Sequence, residues 1–65
     1  MKSKEFIDLA IKMLIPFFET YEQAEKWLYV KNPNFGYISP IEMFNIGKAD
    51  KVLEFINNAS NSWNL

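Results

Sequence analysis

A chain of 65 residues with neither a cysteine nor a histidine has no disulfide to staple it and no ordinary zinc site to organise it. Whatever it folds into must be held by apolar contact, within the chain or with a partner. That is demanding at this size, because a domain of about 60 residues buries only ~60% of the surface its unfolded chain exposes. The sequence meets the demand with 49% hydrophobic and 17% aromatic residues. Disordered chains combine low hydrophobicity with high net charge, so a folded domain is expected, a single one spanning 1–65.

The same absence removes the usual general base and thiol nucleophile. Ser3, Ser39, Ser60 and Ser62 have no imidazole to activate them. Of the carboxylates, Glu22 and Glu25 fall on a solvated helix face and Asp8 faces out of the first helix. Gly36 and Gly47 stand alone, so there is no glycine-rich phosphate loop. No catalytic, metal-binding or cofactor-binding residue is expected. Seven lysines and no arginine against eight acids leave a net charge of −1. Phosphate recognition relies on a basic face, often with arginine forks, so the balance argues against direct nucleic-acid binding. Asp8 and Lys12 interrupt the N-terminal apolar run, which argues against an export signal. No stretch approaches the ~20 apolar residues of a membrane span. The expected compartment is the cytoplasm, and Asn58-Ala59-Ser60 matches a glycosylation acceptor by chance only.

Periodicity predicts four helices. In the first, from about Ser3 to Ile15, Phe6, Leu9, Ala10, Met13 and Leu14 recur at helical spacing and Phe17 continues the row. Ile7, Ile11 and Ile15 form a second row beside it. Together they cover roughly two thirds of the wheel, more than one core-facing stripe requires. The surplus suggests that the Ile7, Ile11 and Ile15 row meets a second copy or a partner. Pro16 stops or kinks the helix. Thr20 with Gln23 fits a capping box for the second helix, which carries Ala24, Trp27 and Leu28 and ends near Val30 or Lys31, since Asn32 precedes Pro33. Asn32-Pro33-Asn34-Phe35-Gly36 is a turn, with Gly36 free to take positive φ.

Ser39-Pro40-Ile41-Glu42 is the clearest local signal. Ser39 caps, Pro40 suits the first helical position, and Glu42 completes the box. Ile38 and Met43 occupy the two positions of a hydrophobic staple, and Gly47 stops the helix. The last helix runs from about Ala49 to Ala59, with Val52, Phe55, Ile56 and Ala59 on one face, and a polar tail from Ser60 carries Trp63 and Leu65. The expected core is Leu9, Met13, Phe17, Ala24, Trp27, Leu28, Phe35, Ile41, Phe44, Val52 and Ile56, with Trp27 at its centre.

Ala24-x-x-Trp27-Leu28, Asn32-Pro33-Asn34-Phe35-Gly36, Ser39-Pro40-Ile41-Glu42-Met43 and Gly47 before Val52 form an ordered pattern. It resembles the toxin-binding domain of the Xre/MbcA/ParS antitoxins, over about Phe18 to Asn57. The family's paired glycines are Gly36-Tyr37 here, with Phe35 in place of the usual leucine, and the second glycine after the Ser-Pro helix is Ala49. The N-terminal helix-turn-helix usual in the family has no counterpart, so a stand-alone toxin-binding domain is expected. The resemblance implies a protein partner, a RES-domain toxin that depletes NAD, with the antitoxin's C-terminal region near the toxin's active site. On that basis Asn61, Trp63 and Leu65 are candidate partner contacts, joined by Tyr37 and Asn34 at the turn. Two functions are thus expected to compete. One is a toxin-neutralising protein-binding module. The other is a small dimeric DNA-associated regulator, whose last helix has Lys48 and Lys51 near its start, offset by Asp50 and Glu54.

Overall fold

The computed structural model describes residues 1–62, with 60–62 described by their helical backbone alone. Four α-helices are present and no strand, among the described residues: α1 (Ser3–Leu14), α2 (Tyr21–Tyr29), α3 (Pro40–Asn45) and α4 (Ala49–Ser62). The expected all-α, four-helix class is what the chain adopts. Single 3-10 turns, Ile15–Phe17 and Pro33–Phe35, follow α1 and α2. Both contain a proline at their start, where a missing N–H costs nothing. None of the helices among the described residues is long and apolar enough to cross a membrane.

Side-chain hydrogen bonds mark the starts of α1, α2 and α3. The Thr20 hydroxyl accepts from the Gln23 N–H at 3.1 Å. The Gln23 side chain reaches one residue further back than a capping box requires and accepts from the Glu19 N–H. Glu5 accepts from the Lys2 N–H before α1. The six residues of α3 are held at both ends. The Ser39 hydroxyl accepts from the Glu42 N–H, and the Glu42 carboxylate accepts from the Ser39 N–H at 2.9 Å. At the other end, the Lys48 N–H donates to the Met43 carbonyl and the Gly47 N–H to the Phe44 carbonyl, with Gly47 at φ 82°. That is the paired closure of a Schellman motif, which needs a left-handed residue at this position. α4 runs three residues beyond the expected Ala59, since Ser60, Asn61 and Ser62 continue its helical backbone.

α4 packs chiefly on α3 and also on α1, and α2 packs on α1 and α3. The core is Phe6, Ala10, Ile11 and Leu14 from α1, Ala24 and Leu28 from α2, Met43 from α3, and Val52 and Ile56 from α4. Phe6 stacks on Phe44 with ring centroids 4.9 Å apart. The expected core needs correction on α1. Leu9 and Phe17 are each 39% exposed, and Met13 is half-buried. The buried line is Phe6, Ala10 and Leu14, spaced four apart, with Ile11 beside it. The two apolar rows adjoin on the helix surface, and the neighbouring helices settle on the seam between them, so Leu9 of one row and Ile15 of the other are left to solvent.

Trp27 is likewise not the centre. It is half-buried in a satellite aromatic cluster, stacked on Phe55 and edge-on to Phe35, while Phe35 meets Phe55 edge-on at 5.1 Å. Its indole N–H is buried with no hydrogen-bond partner among the described residues. The space between the helices is filled by Phe6, Leu14, Leu28, Val52 and Ile56, and the Trp27 ring lies beside it against Phe35 and Phe55.

Candidate interaction surface

The segment from Asn32 to Ile38 makes a closed corner between α2 and α3. Asn32 is buried and organises it. Its side-chain oxygen accepts from both the Asn34 N–H at 2.9 Å and the Asn34 side-chain amide at 3.0 Å. Its carbonyl accepts from the N–H groups of Phe35 and Tyr37, and its own N–H donates to the Ile38 carbonyl. An asparagine that bonds backbone two residues on is an Asx turn, and the Asn-Pro-Asn spelling carries that signal. The sequence places Asn32 before a proline and at the start of the turn, but does not reveal the side-chain bonds by which it organises the corner.

The corner ends in two consecutive left-handed residues, Gly36 at φ 72° and Tyr37 at φ 66°. Glycine takes this conformation freely, but for tyrosine it costs roughly 1–2 kcal/mol. Tyr37 is also 68% exposed, so packing of its ring against the core does not offset that strain. Asn34, by contrast, is tied to Asn32 through its side chain and is only partly available to a partner.

Two grooves flank the aromatic cluster. One, of about 450 Å³, lies between the first 3-10 turn and α2, where Phe17, Phe18, Trp27 and Val30 form its walls and Glu19 and Lys26 its rim. The other, also about 450 Å³, lies between the corner, α3 and α4. Phe35, Ile38, Met43 and Phe55 line its floor, with the more exposed Ile46 beside them, and Lys48, Lys51 and Glu54 line its edge. Ile38 and Met43, the staple pair, thus share one groove. As a charge pattern Lys48 and Lys51 look like weak support for a DNA-reading helix. The fold sets them beside an apolar trough instead.

Other expected contacts fall differently. Ile11 is 3% exposed and Ile7 half-buried, while Ile15 is 41% exposed. The three isoleucines therefore do not form one free surface for self-association, because α1 turns Ile11 inward with Leu14. Trp63 and Leu65 lie outside the described residues, and Asn61 is described only as part of the α4 backbone. Tyr37 and Asn34 do meet at one corner.

Electrostatics at the site are local. Backbone and side-chain hydrogen bonding to Ser39, with a smaller contribution from Lys31, holds the Glu42 carboxyl below its ordinary range. On α1, Asp8 raises the Lys4 ammonium through a 3.0 Å hydrogen-bonded ion pair. Among the described residues no three acidic side chains gather as a metal site would require.

Compared with protein-family models, with curated proteins and with solved structures, the chain matches none of them.

Proposed function

We propose that this chain is a protein-binding module that neutralises a RES-type toxin or a related partner, as the toxin-binding domain it resembles does. The observation that carries the reading is the corner from Asn32 to Ile38. A buried asparagine, a left-handed Gly36-Tyr37 pair and a fully formed Ser39–Glu42 capping box fix a surface on which the tyrosine ring stands in water. Strain kept at an exposed aromatic points toward function, and tyrosine is enriched among binding hot spots. Asn32, Pro33, Asn34 and Gly36 of this corner, with Ser39 and Glu42 beside it, belong to the pattern that resembles the antitoxins, while Phe35 and Tyr37 depart from it. The apolar grooves beside it supply surface that a partner would cover.

The test is co-expression with a RES-domain toxin. Growth and NAD level should recover, the two proteins should purify together, and Tyr37→Ala should weaken that association without unfolding the chain. The resemblance also assigns the segment 61–65 to toxin contact, so its deletion should weaken neutralisation in the same assay. A toxin that depletes NAD equally with and without the chain would sink the proposal.

A further inference from the structure

We infer that the groove between the Asn32–Ile38 corner, α3 and α4 is the docking site for an acidic amphipathic segment of a partner protein. Its floor is apolar, with Phe35, Ile38, Met43 and Phe55 contributing side chains that are buried or half-buried. Its edge is cationic on balance. Lys48 and Lys51 stand there against the single carboxylate of Glu54, and neither lysine forms an ion pair among the described residues. Lysine stems can lie along an apolar floor while the ammonium stays in water. Lys51 shares a stripe of α4 with Phe55 and Asn58, at spacings of four and three residues, and Lys48 stands three residues before Lys51, just ahead of the helix. A segment that lays apolar side chains into this trough therefore meets two unpaired positive charges at its margin, and carboxylates there complete it. Helix-in-groove recognition takes this form, with apolar anchors along one face and flanking charge setting the preference.

Three comparisons narrow the occupant. The groove beside Phe17 and Val30 has Glu19 and Lys26 on its rim, whose charges cancel, so it states no preference of sign. A second copy of the chain is a poor occupant, because a two-fold contact between like grooves sets each lysine pair toward its own equivalent. Nucleic acid is poorer still, since an apolar floor offers nothing to phosphate. Ile46, 59% exposed, is one of the residues lining the trough, and Tyr37, 68% exposed, adjoins Ile38 in the chain.

The inference rests on the reading of the chain as a protein-binding module, but not on the class of toxin, and its test contains no toxin. Two synthetic peptides of roughly sixteen residues carry the same leucines at helical spacing, flanked by glutamates in one and lysines in the other. Each is titrated into the isotope-labelled full chain and followed by amide shifts. The glutamate peptide should shift Phe35, Ile38, Ile46, Lys48, Lys51 and Phe55, and bind at least about tenfold more tightly than the lysine peptide. Lys48→Glu with Lys51→Glu should reverse that preference while leaving the helical circular dichroism unchanged. Ile46→Ser should weaken both peptides. Equal affinity for the two peptides, shifts centred on Phe17, Trp27 and Val30, or no saturable binding of the glutamate peptide would each overturn the assignment. A failed toxin assay beside a successful titration removes only the toxin class, whereas the reverse result removes only this groove.

Discussion

Asn32 satisfies two donors with one side-chain oxygen and two more with its carbonyl, all within the next five residues. Removing the side-chain acceptor leaves the Asn34 N–H to find water in a part-buried turn, so Asn32→Ala should lower unfolding stability by about 1–2 kcal/mol. Asn32→Asp keeps the acceptor and should lose much less in the same urea titration. Tyr37 poses the opposite case. Tyr37→Gly relieves roughly 1–2 kcal/mol of left-handed strain, against about 0.4–1 kcal/mol of extra entropy in the unfolded chain. The variant should therefore be as stable as the natural chain or slightly more so, yet bind its partner less well. Clear destabilisation would show that the ring supports the fold. Glu42 carries the pH dependence. Its carboxyl is held below the ordinary range by Ser39, so its charged form stabilises the fold above the carboxylate range, and that contribution is lost as pH falls through the depressed value. Glu42→Gln keeps an acceptor without the charge. The natural chain should exceed it in thermal midpoint at neutral pH, and the gap should close on acidification.

At the scale of elements, α3 and α1 show what local rules reach and where they stop. The boundaries of α3 were legible because Ser39, Glu42 and Gly47 settle them through bonds a few residues long. Such a short helix depends on those caps, and Gly47→Ala forces a side chain into φ 82° and should cost about 1 kcal/mol. The existence and length of α1 were equally legible, but not its orientation. Apolar residues cover so much of its surface that several rotations about the axis satisfy periodicity. Only packing against α2 and α4 selects the one that buries Phe6, Ala10, Ile11 and Leu14. The turn chemistry of the candidate site was legible at Gly36 and Ser39. Its cationic groove was not, since Ile38, Ile46 and Lys51 converge only after α3 and α4 have packed. The rotation of α1 has a sharp test. Leu9→Glu should leave the chain folded, because that side chain reaches water, whereas Ile11→Glu buries an unpaired charge and should abolish cooperative unfolding. The opposite pattern would restore the isoleucine row as a surface.

For the whole molecule, the question is where so small a chain keeps its stability. At typical values per residue, 65 residues hold roughly 3–10 kcal/mol, so one large core truncation can consume most of it. Phe6 is fully buried, stacks on Phe44 and lies in the same cluster as Leu14, Leu28 and Val52. Phe6→Ala should cost about 3–5 kcal/mol and leave much of the population unfolded at room temperature. Trp27, although larger, sits in the satellite cluster with Phe35 and Phe55, and its N–H is buried with no partner among the described residues. Trp27→Phe shortens the ring system and leaves a gap, which costs stability. It also deletes an unsatisfied donor, whose burial itself costs about 1–3 kcal/mol. The two effects oppose, so Trp27→Phe should move stability by no more than about 1 kcal/mol, and stacking with Phe55 should survive because an aromatic face remains. Equilibrium unfolding of both variants, followed by far-ultraviolet circular dichroism so that no tryptophan is needed as a reporter, separates the possibilities. Should Trp27→Phe prove as damaging as Phe6→Ala, the aromatic cluster would be part of the central core and its N–H would have an acceptor in solution.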